Sequence, residues 1–131
     1  MKVCLWYLRS CGDLFVAMKP VEFAKRIYEK RRSVFERWEE YVEKVKERGT
    51  RLLPETKVYV FGSVVRGDYH PMLSDIDVAV VSPGVPEGAA ERVRIKLKLT
   101  EGFDESSLEI HLLTPKEWET YRRFIDVYRE I

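Results

Sequence analysis

The chain has 131 residues, which is the size of one domain, and its apolar fraction of 45% is enough for one compact core. Charged residues make up 34% of the sequence, yet the net charge is only +1. This balance excludes a global electrostatic attraction to nucleic acid or to a membrane, so such a partner would have to bind a local patch. No apolar run is long enough to cross a membrane, and we expect a cytoplasmic protein.

Asparagine and glutamine are both missing from the sequence. These amides are thermolabile, and hyperthermophile proteins contain few of them and many Glu, Lys and Arg. The composition therefore indicates a thermophile's protein, and the alternative is compositional drift in a short chain.

Residues 1–17 are interpreted as an extension that precedes a domain of residues 18–131. Their apolar stretch is interrupted by charged residues too early for a signal peptide, and Met18-Lys19-Pro20 resembles a natural start. Cys4 and Cys11 lack the spacing of metal ligands. We interpret them as small buried hydrophobes, with a disulfide as the alternative.

The segment from Val21 to Arg48 contains no Gly or Pro and predicts one long amphipathic helix, with a break near Arg31-Arg32-Ser33 as an option. Pro20 suits its first turn and Gly49 suits its C-cap. Its basic residues alternate with glutamates, which favours a solvated helix face over a nucleic-acid contact. The apolar residues that recur at helical spacing are Ala24, Ile27, Val34, Trp38, Tyr41 and Val45.

Three strands and two helices are predicted in the rest of the chain. The strands are Lys57 to Phe61, Asp75 to Val81 and Leu108 to Leu113. Residues 87–99 are predicted as a helix, although their alternation also fits a strand. Thr114, Pro115 and Glu117 predict a capped final helix that runs to about Tyr128. This order predicts an α/β (α+β) domain, a mixed β-sheet flanked by helices, with a long N-terminal helix.

A glycine turn follows the first predicted strand. Gly62 allows a phosphate to approach the backbone closely, and if a short helix starts at Ser63, its free N–H groups would point at that phosphate. Arg66 lies one turn further and could neutralise phosphate charge, although a plain helix-surface role is equally consistent. Gly62, Ser63 and Arg66 are therefore candidate nucleotide-binding residues.

Acidic residues mark the two later strands. Asp75 and Asp77 are two apart and should share one face, where two like charges need a cation. Glu109 lies in an apolar strand, where a carboxylate is costly unless it is paired or metal-bound. His111 shares the face of Glu109, and we interpret it as a structural strand residue. Asp75, Asp77 and Glu109 are thus predicted to be both the catalytic residues and the ligands of Mg²⁺ or Mn²⁺.

These residues resemble the signature of the minimal nucleotidyltransferases, small members of the DNA polymerase β superfamily. Gly62-Ser63 and Asp75-Ile76-Asp77 match the motif, and Glu109 matches the third carboxylate. The spacing between the two motifs is eleven residues, one more than is usual in the family, and the third carboxylate is Glu where many members have Asp. The resemblance covers roughly residues 20–131.

The resemblance implies a transferase that moves a nucleotidyl group from ATP or another nucleoside triphosphate to a hydroxyl. It also implies that two Mg²⁺ ions assist the transfer and that AMP is the expected nucleotidyl group. It also implies a partner, because many such domains act as the antitoxin of a helical HEPN protein in a toxin–antitoxin pair. A second copy of the chain is another candidate partner. The alternative function is a non-catalytic nucleotide-binding antitoxin that neutralises its partner by contact.

Overall fold

The computed structural model describes residues 19–103 and 107–131. The predictions for residues 1–17, including those for Cys4 and Cys11, lie outside the described residues. None of the helices among the described residues is long and apolar enough to span a bilayer.

The N-terminal helical region consists of two helices, α1 (Pro20–Glu36) and α2 (Trp38–Leu52), rather than one. The chain leaves helical geometry at Arg37, with φ −116° and ψ 28°, so the break is further along than the sequence indicated. This bend lets two apolar stripes reach the same core, Val34 and Phe35 from the end of α1 and Val42 and Val45 from α2.

Gly49 is not a C-cap, contrary to the sequence prediction, because α2 continues past it to Leu52. The residue is buried, and a Cβ atom built on it would lie 3.2 Å from Cγ2 of Thr56 and 3.6 Å from Cγ1 of Val80. Its missing side chain therefore lets α2 pack closely on the sheet, and the Thr56 hydroxyl donates to its carbonyl oxygen at 3.0 Å.

Four strands form one mixed sheet in the order β3-β2-β1-β4. Strand β1 (Lys57–Phe61) is antiparallel to β2 (Ile76–Val81) and to β4 (Tyr128–Glu130), whereas β2 is parallel to β3 (Leu108–Leu113). Helix α4 (Ala89–Leu99) makes the crossover that a parallel pair requires, after the single-turn helix α3 (Ser63–Arg66). The predicted fold class and the helical interpretation of residues 87–99 are confirmed.

The two faces of the sheet are covered differently. One face packs against α2 and α4 through the main apolar core, and its buried strand residues include Val58, Val60, Ile76, Val78, Val80, Ile110 and Leu112. The other face carries Tyr59, Phe61, Ala79 and Val81, and it is covered by Trp118 of α5 (Pro115–Tyr121). Strand alternation places Asp77, Glu109 and His111 on this second face.

The C-terminal segment differs from its prediction. The capping box is present, since Thr114 Oγ1 accepts from the backbone N–H of Glu117 at 3.2 Å and the Glu117 carboxylate accepts from that of Thr114 at 3.0 Å. Helix α5 nevertheless ends at Tyr121, and a 3₁₀ turn, Arg122–Phe124, leads into β4. The open edge of β1 offers backbone hydrogen bonds to this segment, so sheet pairing replaces the predicted last turns of helix.

Candidate active site

The glycine turn lies at the end of β1, next to a carboxylate. Gly62 has φ 86° and ψ −155°, a conformation almost restricted to glycine. A Cβ atom at this position would lie 2.9 Å from Oδ2 of Asp77. Glycine is therefore required both by the backbone and by the close approach of the Asp77 side chain. Ser63 begins α3, in which the N–H groups of Val65 and Arg66 donate to the carbonyl oxygen of Gly62, whereas those of Ser63 and Val64 have no partner within the helix.

Two carboxylates face each other on the parallel strands. Asp77 is the register partner of Glu109 in the β2–β3 pair. Together with His111 they each offer a ligand atom, and these atoms all lie within 4.8 Å of one another. Carboxylate oxygens are the donors that Mg²⁺ and Mn²⁺ prefer. The residues present therefore fit a divalent cation.

His111 links this cluster to the C-terminal helix. Its Nε2 lies 3.3 Å from Oδ1 of Asp77, and its Nδ1 lies 3.3 Å from the hydroxyl oxygen of Tyr121. Burial raises the pKa of Tyr121, and the negative charges of Asp77 and Glu109 raise it further. The phenol thus stays protonated and can donate to Nδ1, and Nε2 then carries the hydrogen that is donated to Asp77.

This chain of contacts was only half visible in the sequence. His111 was interpreted as a structural strand residue, although its shared face with Glu109 was recognised. Tyr121 falls within the predicted final helix, and its ring contacts Phe61 at 5.9 Å between centroids. The spacing of a helix does not reveal which hydroxyl reaches across to a strand.

Asp75 lies apart from the other carboxylates. It precedes β2, its side chain is 51% exposed, and its Oδ1 lies 3.7 Å from a guanidinium nitrogen of Arg31 in α1. In the described part of the chain, the cluster of close ligand atoms contains Asp77 and Glu109 but not Asp75. The structure thus brings together two of the three predicted carboxylates, and the role of Asp75 as a ligand stays a prediction.

A cavity of about 480 Å³ opens beside the glycine turn. Arg66 lies at its edge, 3.3 Å from Asp126 and 3.3 Å from Asp68, so its guanidinium is held by two exposed carboxylates. Phe124, which is 87% exposed as a residue, lines the same cavity. The cavity is lined by Phe61, Gly62, Arg66, Tyr121, Phe124, Ile125 and Asp126.

Comparison with known proteins gives a consistent result. A family model described as nucleotidyltransferase domain matches residues 38–130. A crystal structure described as a "putative nucleotidyltransferase" is 42% identical, with a TM-score of 0.56, and the match covers 68% of this chain and 95% of that one. No curated protein matches the chain.

A second crystal structure, described as a "putative nucleotidyltransferase" from Sulfolobus solfataricus, is 25% identical with a TM-score of 0.47. That match covers 79% of this chain and 84% of the other. The segment matched by the family model begins at Trp38, the first residue of α2, so α1 lies outside it.

Proposed function

This chain belongs to the nucleotidyltransferase domain family, and we propose that its site moves a nucleotidyl group, in the first instance AMP from ATP, to a hydroxyl acceptor. The single observation that carries the proposal is the pairing of Asp77 with Glu109 directly beside the Gly62 turn. This arrangement supports the proposal, because a cation on the carboxylates and a phosphate at the turn would lie next to each other, as transfer at an α-phosphate requires.

The carboxylates Asp77 and Glu109 would hold the metal, and Asp75 would join them by turning its side chain from Arg31. Mg²⁺ or Mn²⁺, as a pair of ions, would supply charge neutralisation at the phosphates and activation of the acceptor hydroxyl. His111, backed by Tyr121, would fix the orientation of Asp77, as hydrogen-bond partners of metal ligands generally do.

The triphosphate would bind at the glycine turn. Backbone N–H groups at the start of α3 and the Ser63 hydroxyl would donate to phosphate oxygens, and Arg66 would offset their charge after leaving Asp126. The exposed ring of Phe124 offers a stacking surface for the base within the same cavity. We therefore propose that the nucleotide extends from Asp77 past Gly62 to Phe124.

Bond formation requires one proton acceptor near the incoming hydroxyl. The acceptor oxygen forms a bond to the α-phosphorus, the bond to the bridging oxygen breaks, and pyrophosphate leaves. Glu109 is exposed at this position, so its carboxylate can take the proton of the acceptor hydroxyl. The other residues bind and orient, and none of them forms a covalent intermediate.

The acceptor is proposed to be a separate macromolecule. Glu109 is exposed and Asp75 is half exposed, so a hydroxyl on another protein can reach the carboxylates. A HEPN-type partner protein, modified by this chain as its antitoxin, is the acceptor class that we propose. A second copy of the chain is the other protein acceptor to test. The near-neutral net charge of +1 gives no support to a nucleic-acid acceptor.

Label position separates transfer from other reactions of a nucleoside triphosphate. Purified protein is incubated with Mg²⁺ and ATP labelled at the α- or the γ-phosphate, alone and with the candidate partner. Nucleotidyl transfer deposits the α-label on protein and not the γ-label, whereas phosphoryl transfer does the opposite.

Two variants complete this test. Asp77→Asn should abolish labelling, whereas Glu119→Gln, an exposed carboxylate of α5 that pairs with Arg122, should leave it unchanged. If the partner is neutralised equally well by Asp77→Asn and no label appears with any acceptor, the chain acts by contact, and the non-catalytic alternative is correct.

A further inference from the structure

The loop between α3 and β2 is held by an arginine from another part of the chain. Nε of Arg31 donates to the carbonyl oxygen of Pro71 at 2.5 Å, and Nη2 donates to that of Ser74 at 2.8 Å. The same Nη2 lies 3.7 Å from Oδ1 of Asp75. The Arg31 side chain is only 14% exposed, so these contacts are shielded from water and weakly screened.

A second contact fixes the same helix to the same loop. Phe35, one turn after Arg31 and 1% exposed, stacks on Tyr69 with ring centroids 4.7 Å apart and planes inclined by 17°. Two points of attachment make the end of α1 and the loop a single packed unit. The segment between Ser63 and Asp75 is one residue longer than in the family signature. This additional residue lies in the loop, so the loop has one more residue whose position must be restrained.

We infer that Arg31 is a positioning residue that sets the approach of Asp75 to the carboxylate pair, and that α1 supplies it from outside the segment matched by the family model. This inference deepens the proposed function, on which it rests for the role of Asp75 as a metal ligand. A guanidinium matches the task because its planar fork can donate to two carbonyl oxygens while its charge faces a carboxylate.

The positive charge of Arg31 also offsets the repulsion between Asp75 and the other two carboxylates. Asp77 and Glu109 already face each other across β2 and β3, and a third carboxylate would approach them against their negative charge. Arg31 places its positive charge beside the Asp75 carboxylate and holds that carboxylate close to the strand end. In this proposal Asp75 joins the cluster by rotation of its side chain, while Arg31 holds the preceding backbone through the carbonyl oxygen of Ser74.

The test measures Mn²⁺ binding to the nucleotide-free protein by electron paramagnetic resonance, so that it does not depend on transfer. Arg31→Met should raise the Mn²⁺ dissociation constant about tenfold, in the range seen when a hydrogen-bond partner of a metal ligand is lost. Arg31→Lys, which keeps the charge without the fork, should give a smaller rise. Arg32→Met is the matched control, since Arg32 is 56% exposed and pairs with Glu36 on the same helix.

The route through Asp75 is tested by a double-mutant cycle. In an Asp75→Asn background, Arg31→Met should change the Mn²⁺ dissociation constant no further. An equal tenfold loss in that background, or equal effects of the two methionine variants, would overturn the inference. If Arg31→Met does not fold, Arg31→Lys carries the same comparison.

Amide hydrogen exchange of residues 70–75 gives a second readout, and Arg31→Met should accelerate it while Arg32→Met does not. Unchanged exchange in this loop would also count against the inference. If the parent protein binds Mn²⁺ in the expected way but transfers no label, the proposed function fails while the role of Arg31 stands.

Discussion

Replacing Gly62 with alanine tests whether the glycine turn and the metal site are one unit. The matched control is Gly67→Ala, because the two glycines have nearly the same φ, 86° and 85°. A Cβ atom at Gly67 meets no atom of the described residues within 4 Å, whereas one at Gly62 lies 2.9 Å from Oδ2 of Asp77. Both variants therefore strain the backbone, but only one of them displaces a predicted metal ligand.

The expected losses of stability follow from the two conformations. Alanine at Gly67, in the left-handed helical region, should lower the free energy of unfolding by about 1–2 kcal/mol. Gly62 has ψ −155°, a region nearly exclusive to glycine, and the loss there should reach about 1–3 kcal/mol. These ranges overlap, so stability alone does not distinguish the two variants.

The distinction lies in metal binding and transfer. Relief of the 2.9 Å contact requires the Asp77 carboxylate to move by a few tenths of an ångström, away from its position opposite Glu109 and His111. Gly62→Ala should therefore weaken Mn²⁺ binding and abolish α-label transfer, whereas Gly67→Ala should keep both at a temperature where it is folded. Thermal melts, Mn²⁺ titrations and the labelling assay measure the three quantities. Parent-like Mn²⁺ affinity in Gly62→Ala, or equal loss in the two variants, would refute the coupling.

Three further predictions concern charge and chain length. Asp77→Asn should leave the metal-free protein as stable as the parent or more so, because the substitution removes the repulsion between this side chain and Glu109. Only the parent should gain thermal stability from Mg²⁺-ATP. A lower melting temperature of the metal-free variant would contradict this prediction. The pKa of Glu117 is lowered, chiefly by the hydrogen bond from Arg92 and then by the hydrogen bond from the Thr114 backbone. The ionised carboxylate therefore contributes to the free energy of unfolding above pH 4.5, and this contribution is lost as the pH falls through the lowered pKa. Glu117→Gln should remove less than about 1 kcal/mol, since this carboxylate is partly exposed, and should flatten the acid limb of a denaturation series; an unchanged limb would refute the assignment. A chain that starts at Met18 should fold and melt within about 4 °C of the full chain, and loss of folding would show that residues 1–17 pack into the core.

The sequence was sufficient for those parts of the site that depend on strand alternation. Side chains alternate between the two faces of a strand, and Asp77 and Glu109 each lie inside an apolar strand. A common face for the two carboxylates could therefore be predicted if β2 and β3 are neighbours, as they are in the structure. Asp75 precedes the strand, where alternation no longer dictates direction, and a distant arginine decides where its carboxylate lies. Long-range side-chain contacts of this kind leave no periodic signal in one sequence.

The elements whose limits were wrong share a physical reason. The end of α5 carries no Gly or Pro stop signal, and β4 exists because the edge of β1 was available for pairing. Gly49 looked like a helix stop, but its role is to let α2 approach Val80 and Thr56. In each case tertiary contacts outweighed a local preference, which composition and spacing alone do not record.

The parallel pairing of β2 with β3 has a consequence for how the protein responds to its ligand. Asp77 and Glu109 come from strands that are joined only through the crossover helix α4, so their carboxylates meet only after this long segment has closed. A partly unfolded chain therefore cannot offer the same cation site. Binding of divalent metal and nucleotide should therefore raise the free energy of unfolding of the whole domain. In a cell depleted of these ligands, the ligand-free protein would be the form most susceptible to proteolysis.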